Sequence, residues 1–214
     1  MSNAQHPSRP ARRMRVVAVT GVAGKTTTTW LTAAVMSEAG LRVGIVSDLG
    51  CVGADGVICD APDRSRPGAV AEWIARLAAG GCTHAVVEVS HDQLAAGAIG
   101  RDACTAVVVT GAAGSRVTVG QRPADLARRI AAAIAPGGCL VVPRARGLET
   151  LLAAVARRGG RACLTAGLDE ECDVHAQPVV RDLHGQTFLA SGAGQVVPVA
   201  VDVPIASYAR NALC

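Results

Sequence analysis

The chemistry most visible in this chain is compressed into Thr20-Gly-Val-Ala-Gly-Lys-Thr-Thr27, between an apolar run and a helix-forming segment. Gly21 and Gly24 permit backbone angles and a close approach that a side chain would forbid. Successive N–H groups can therefore aim at phosphate oxygens near a helix N-terminus. Lys25 would neutralise the outer phosphates of a triphosphate, and the Thr26 hydroxyl would sit on Mg²⁺. Thr20 and Thr27 complete the candidate loop. The alternative is a glycine-rich strand-to-helix turn with no ligand. Composition weighs against it, because Lys25 is the only lysine and the other twenty basic residues are arginine. A compact ammonium fits between phosphates where a planar guanidinium does not. The spacing is GxxGKT, with Val19 where the broader GxxxxGKT form has its first glycine. It is not the GxGxxG of a dinucleotide fold. The guanine-reading Asn/Thr-Lys-x-Asp motif would need a second lysine, so ATP is the expected nucleotide.

Glu88 is the next candidate, as a catalytic group and a metal ligand. It ends an apolar strand, where an unpaired buried carboxylate would be costly. The carboxyl ends of strands are also where ligands of open α/β sheets gather. A solvent-exposed strand-end glutamate is the alternative. His91, three residues on, is either a metal ligand or a surface residue at a helix start. His84 sits inside a strand and reads as structural, while His6, His175 and His184 form no grouping that suggests a metal.

These residues need a scaffold of alternating strands and helices. Apolar and amphipathic patterns predict strands over 15–20, 42–47, 83–89, 104–110, 138–143 and 161–165. Helices are predicted over 25–39, 67–80, 91–98, 122–135 and 147–158. Runs such as Ala106 to Val109 are apolar on both faces, as in a parallel sheet covered on each side. The expectation is an α/β, P-loop three-layer fold with a mainly parallel sheet. Asp55-Gly56 marks a hairpin within 51–60, and residues 172–203 read as a small antiparallel β appendage. Residues 1–14 read as a disordered tail, and Ser207 to Cys214 as a helix opening after which the chain looks cut short.

Composition narrows the partners. Half of the 214 residues are apolar, yet only Trp30, Trp73, Phe188 and Tyr208 are aromatic, so the core must be built from Val, Leu, Ile and Ala. The net charge is +4, but Arg9, Arg12, Arg13 and Arg15 account for it, leaving a neutral body with no basic face for nucleic acid or membrane. No apolar stretch approaches the roughly 20 residues that cross a bilayer. Arg12-Arg13 imitates a twin-arginine signal, but Lys25 ends the apolar run and no small-residue cleavage site follows. The eight cysteines are scattered without a CxxC pair, as expected for small core residues of a reduced, cytoplasmic protein.

The phosphate loop, followed by Gly40-Leu-Arg-Val-Gly-Ile-Val46, resembles the central ATPase domain of the Mur ligases, especially the UDP-N-acetylmuramoyl-tripeptide synthetase type. Thr83-His-Ala-Val-Val-Glu-Val-Ser90 is similar to that family's Glu-Val-Ser-Ser-His segment. Asp173 to Val203 resembles its closing strands, and Arg210-Asn-Ala-Leu213 its Asn-Ala-Leu-Ala helix start. The resemblance covers roughly residues 15–214, and folylpolyglutamate and cyanophycin synthetases share the loop. It implies ATP-driven amide formation between an amino acid and a UDP-muramoyl peptide through an acyl phosphate. Lys25 and Thr26 would hold triphosphate and Mg²⁺, Glu88 would bind magnesium, and Asn211 would lie near the adenine. A one-residue shift would bring His91 onto the family's histidine.

The chain also departs from that pattern. Gly111-Ala-Ala-Gly-Ser-Arg-Val117 stands where the family has Thr-Asn-Leu-x-x-Asp-His-Leu-Asp, so the expected metal-binding histidine is missing. Asp125-Leu-Ala-Arg-Arg-Ile130 lacks the lysine that becomes a carbamate. Arginine stays protonated and does not readily replace it. Ser65-Arg66-Pro67 replaces Thr-Thr-Pro, and Ala23 replaces a usual Asn. The N-terminal UDP-binding and C-terminal domains have no room here. The expectation is therefore a ligase domain impaired in isolation, with separately encoded domains as candidate partners that would restore ligation. The rivals are a degenerate ATP-binding regulatory module and an unrelated P-loop ATPase.

Overall fold

Val16 and Ala18 point to one side of the first strand while Val17 and Val19 point to the other, and this alternation organises the molecule. In the computed structural model, which describes residues 14–60, 63, 66, 68–111, 122–144, 148–203 and 206–214, that strand is β1 (Arg15–Thr20). It lies between β5 (His84–Glu88) and β6 (Cys104–Val109), parallel to both. β2 (Val43–Ser47) extends the parallel sheet beyond β5, and β7 (Ile134–Pro143) and β8 (Ala162–Gly167) extend it beyond β6.

Helices cover both faces. Val16, Ala18, Ala85, Val87, Val107 and Val109 pack beneath α2 (Ala69–Ala79), α3 (His91–Ala95), α4 (Pro123–Ala133) and α5 (Leu148–Arg158). Val19, Val86 and Val108 face α1 (Lys25–Glu38). Each valine removed from water contributes about 1.5–3 kcal/mol, and each alanine less. The expected three-layer α/β fold is present.

Both sheet edges are antiparallel. β2 turns into β3 (Gly50–Val52) and β4 (Ile58–Cys59), the hairpin expected around Asp55-Gly56. At the other edge, β9 (Val174–Arg181), β10 (Gln186–Gly192) and β11 (Gln195–Val201) form a meander. It is continuous with the main sheet, since β9 pairs in parallel with β8 at Ala166↔Val174 and Gly167↔His175. The final helix, α6 (Ala206–Leu213), packs against the meander through Ala209 and Leu213.

Three expectations change, the first being that α3 ends at Ala95, three residues before 98, where Gly97 takes φ +79°. α4 ends at Ala133 and β7 begins at Ile134, so the strand starts four residues before 138. Pro136 explains it: proline disfavours helical geometry at the preceding residue and removes an N–H. The cysteines are all free, but only Cys51, Cys82, Cys104 and Cys172 are buried, and Cys59 is exposed on the edge strand β4. Burial pushes the Cys104 thiol up to about 12. No described helix is long and apolar enough to cross a membrane. The expected tail falls almost wholly outside the described residues.

The short β8–β9 junction is clamped by Asp173. Its Oδ2 accepts from the Thr165 backbone N–H and hydroxyl, both at 2.7 Å. The N–H bond, followed by the hydroxyl, holds this carboxyl below its ordinary 3.8. A depressed carboxyl pKa stabilises above the unfolded value and loses that contribution as pH falls through the folded one. Stability should therefore drop as pH falls below 3.8, and Asp173→Asn should flatten that slope. Chemical denaturation across pH reads it out; an unchanged slope in the variant contradicts the clamp.

Candidate functional site

The chain leaves β1 at a buried Thr20 and turns through Gly21, at φ +139°, to Gly24, at φ +81°. Gly24 is the N-cap of α1 and brings no side chain to it. The first turn of α1 contains no acidic residue. Its leading N–H groups and the positive end of the helix dipole are thus left to an outside anion. Lys25 is the first residue of that helix.

The loop is bolted to the end of β6. Thr110 N–H donates to Thr20 O at 2.8 Å, and Val22 N–H donates to Gly111 O at 3.0 Å. The Thr110 hydroxyl lies 2.6 Å from Ala23 O and 3.2 Å from Thr20 O. A Cβ on Gly21 would collide with that hydroxyl, which is why glycine is required there.

On the other side of β1 stands Glu88, in register with Val19 and only 1 % exposed. Thr26 Oγ1 donates to Glu88 Oε1 at 3.0 Å, and Asp48 N–H donates to Oε2 at 3.1 Å. A surface glutamate is therefore ruled out: the carboxylate is buried and bonded at the foot of the loop. Hydroxyl and carboxylate oxygens are the donors a hard cation such as Mg²⁺ takes, the rest of its shell coming from phosphates and water. Among the described residues no group of three His, Cys, Asp or Glu side chains converges on a metal.

His91 opens α3 behind a capping box in which Ser90 Oγ accepts from Gln93 N–H at 3.1 Å and Gln93 Oε1 accepts from Ser90 N–H at 2.8 Å. The imidazole is partly buried, and its Nε2 has no hydrogen-bond partner among the described residues. Burial, and then the Lys25 ammonium, lower its pKa below 6.5. The shift favours the neutral ring, and a neutral imidazole keeps one nitrogen able to accept a bond or a cation. Leaving such a nitrogen unsatisfied costs about 1–3 kcal/mol.

Asn211 arrives from α6 and is 7 % exposed. Its carbonyl oxygen lies 3.4 Å from the Thr28 hydroxyl, 183 residues away in sequence. Its side-chain amide occupies the space over Gly24, with Oδ1 at 2.5 Å from where a Cβ would stand. Thr20, Gly21, Gly24, Lys25, Thr26, Glu88, His91 and Asn211 thus share one end of the sheet. Thr27 lies half-buried in the first turn of α1. His84 accompanies Thr83, 2.9 Å from its Nδ1, away from this cluster.

Sequence reasoning missed Thr28, Asp48 and Thr110, whose contacts run largely through main-chain atoms that no side-chain pattern announces. Residues 112–117, and Ser65 and Pro67, lie outside the described residues. Arg66 forms a two-pronged pair with Glu72 at 2.8 and 2.5 Å. On α4, Arg128 pairs with Asp125 at 2.5 Å.

Comparison with known proteins sets this geometry in context. The Mur ligase middle domain model matches residues 19–214. A UDP-N-acetylmuramyl-tripeptide synthetase of Deinococcus radiodurans is 38% identical over 88 residues, which are 40% of this chain and 18% of that protein. One from Roseiflexus sp. is 35% identical over 89 residues, covering 41% and 18%. Among solved structures, a UDP-N-acetylmuramoyl-L-alanyl-D-glutamate–2,6-diaminopimelate ligase has TM-score 0.77 at 20% identity, over 93% of this chain and 41% of that one. The apo form of L. casei FPGS has TM-score 0.67 at 18% identity, over 95% and 57%. These structural likenesses show a shared fold, and the chain spans less than half of the first structure.

The seating of Asn211 can be tested with two glycines of similar backbone. Gly24 and Gly40 have φ +81° and +78°, but nothing lies within 4 Å of a Cβ on Gly40. Alanine at either should cost about 1–2 kcal/mol for the left-handed backbone. Gly24→Ala should cost more, because it must also displace Asn211. Equal losses in urea unfolding would show that the asparagine does not press on the loop.

Proposed function

This chain belongs to the Mur ligase middle-domain family, and from that premise we propose that it is the ATP- and Mg²⁺-binding domain of a Mur-type ligase. The observation that carries the reading is the Thr26–Glu88 contact of 3.0 Å beside the only lysine of the chain. Lys25 lays an ammonium against the polyphosphate, and the leading amides of α1 take phosphate oxygens. Thr26 directs its proton to Glu88, which leaves the hydroxyl lone pairs facing the ligand. When bound by this pair, Mg²⁺ would offset charge on the phosphoryl group in transfer. His91 Nε2 offers one further acceptor on the Lys25 side. Asn211 flanks the loop where the adenine would rest.

In the proposed reaction a carboxylate of the UDP-muramoyl peptide takes the γ-phosphoryl group of ATP, giving an acyl phosphate and ADP. The amine of an amino acid then displaces phosphate to form the amide. Ligation also needs surfaces for both substrates, supplied by other domains of the same polypeptide or by separate ones. The neutral body and eight free thiols support a cytoplasmic setting.

A second reading, an ATP-binding regulatory module without ligase activity, is favoured by α4. Arg128 is tied to Asp125 where a carbamate-forming lysine is expected, and a guanidinium does not take up carbon dioxide in that way.

One measurement tests the nucleotide site that both readings share, and a second separates them. Lys25→Ala should abolish thermal stabilisation by ATP·Mg²⁺, which for a bound ligand at 100 times Kd is worth about 2.7 kcal/mol. The melting temperature without nucleotide should hardly move. Equal stabilisation of the variant would contradict the assignment of the loop. Phosphate release that requires ATP, a muramoyl acceptor and diaminopimelate or lysine together supports ligation; release indifferent to the acceptor favours the second reading.

A further inference from the structure

The phosphate loop has an anchor of its own on a neighbouring strand, and its geometry decides where the loop's amides point. The Thr110 hydroxyl lies 2.6 Å from Ala23 O and 3.2 Å from Thr20 O, so one proton is shared between the two ends of the loop, mainly with Ala23. Thr110 N–H holds Thr20 O as well, at 2.8 Å. Both carbonyls are thereby drawn toward the end of β6. A trans peptide is planar, with its N–H directed opposite to its C=O. Drawing Ala23 O toward Thr110 therefore turns Gly24 N–H away from β6, and drawing Thr20 O turns Gly21 N–H the same way. Val22 N–H is spent on Gly111 O at 3.0 Å, which excludes it from ligand contact in this arrangement.

We propose that Thr110 is a positioning residue for polyphosphate binding, acting through Ala23 and Thr20 and not by touching the ligand. The assignment rests on the nucleotide reading above and adds the element that pre-orients its donors. Glycine at 21 belongs to the same device, since any Cβ there would expel the hydroxyl. Because Thr110 N–H keeps its hold on Thr20 O, loss of the hydroxyl frees chiefly the Ala23–Gly24 peptide plane to rotate, while the strand pairing of β1 with β6 remains. A donor array that must be ordered by the ligand binds more weakly than one ordered in advance.

The same two strands provide a control. Thr105, at the opposite end of β6, donates its hydroxyl to Val16 O at 3.0 Å, a bond of the same type between the same strands but remote from the loop. Titration calorimetry with ATP·Mg²⁺ on wild type, Thr110→Val, Thr110→Ser and Thr105→Val distinguishes positioning from general support. Thr110→Val should raise Kd by about tenfold. Thr110→Ser, which keeps the hydroxyl, should stay close to wild type. Thr105→Val should leave Kd unchanged, whatever it does to the melting temperature. Unaltered affinity in Thr110→Val, or an equal loss in Thr105→Val, overturns the assignment while leaving the nucleotide reading intact. Wild-type protein that does not bind ATP·Mg²⁺ removes that reading and the assignment with it.

Discussion

A carboxylate taken out of water sets the terms for this end of the molecule. Glu88 is 1 % exposed, and a carboxyl group in such a place is tolerated only if its oxygens are bonded. Its oxygens accept from Thr26 and from the Asp48 main chain, so the first turn of α1, the end of β2 and the end of β5 must all meet at one point. A shift of the first turn of α1 or of the end of β2 relative to β5 would break one of these bonds. That is why a loop of small residues, with little packing of its own, is held in a defined place.

The sheet order makes the meeting possible. Every parallel strand presents its carboxyl end on the same side, and β1 occupies the middle with β5 on one flank and β6 on the other. β5 supplies Glu88, β6 supplies Thr110, and the intervening β1 feeds the loop. The connection through α1 leads to one flank while β6 lies on the other, the arrangement that opens a crevice in a doubly wound sheet. Chemistry and support come from opposite neighbours.

How much of this could be read from the residues depends on how local each feature is. The loop is legible because its glycines, lysine and threonines act over eight consecutive positions. Most of the alternating elements are legible because Val-rich runs buried on both faces have few other homes. Glu88 could be suspected from its place at a strand end, but its partners could not, since Asp48 contributes an N–H that every residue but proline owns. Thr110 was hidden for a related reason: its role depends on which strand neighbours which, and parallel order is not written in any single segment. The boundary between α4 and β7 was misplaced because alanine-rich periodicity outlasted the helix, which Pro136 stops earlier. Asn211 was placed by family resemblance alone, and its seat over Gly24 follows from α6 docking on a meander that itself rests on two residue pairs with β8.

That seat joins the last helix to the first loop, and the contact has a temporal side. A ribosome releases the chain from its N-terminus, so the glycine-rich turn emerges early but cannot acquire its final neighbour until positions near 211 have followed. Contacts of such long sequence separation are slow to form, because the whole intervening loop must close first. Nascent chains would carry the phosphate motif in full while its cradle is still unfinished. Competence for nucleotide is thereby deferred until α6 has been made, and a stalled or clipped polypeptide ending before α6 would display the sequence without the grip.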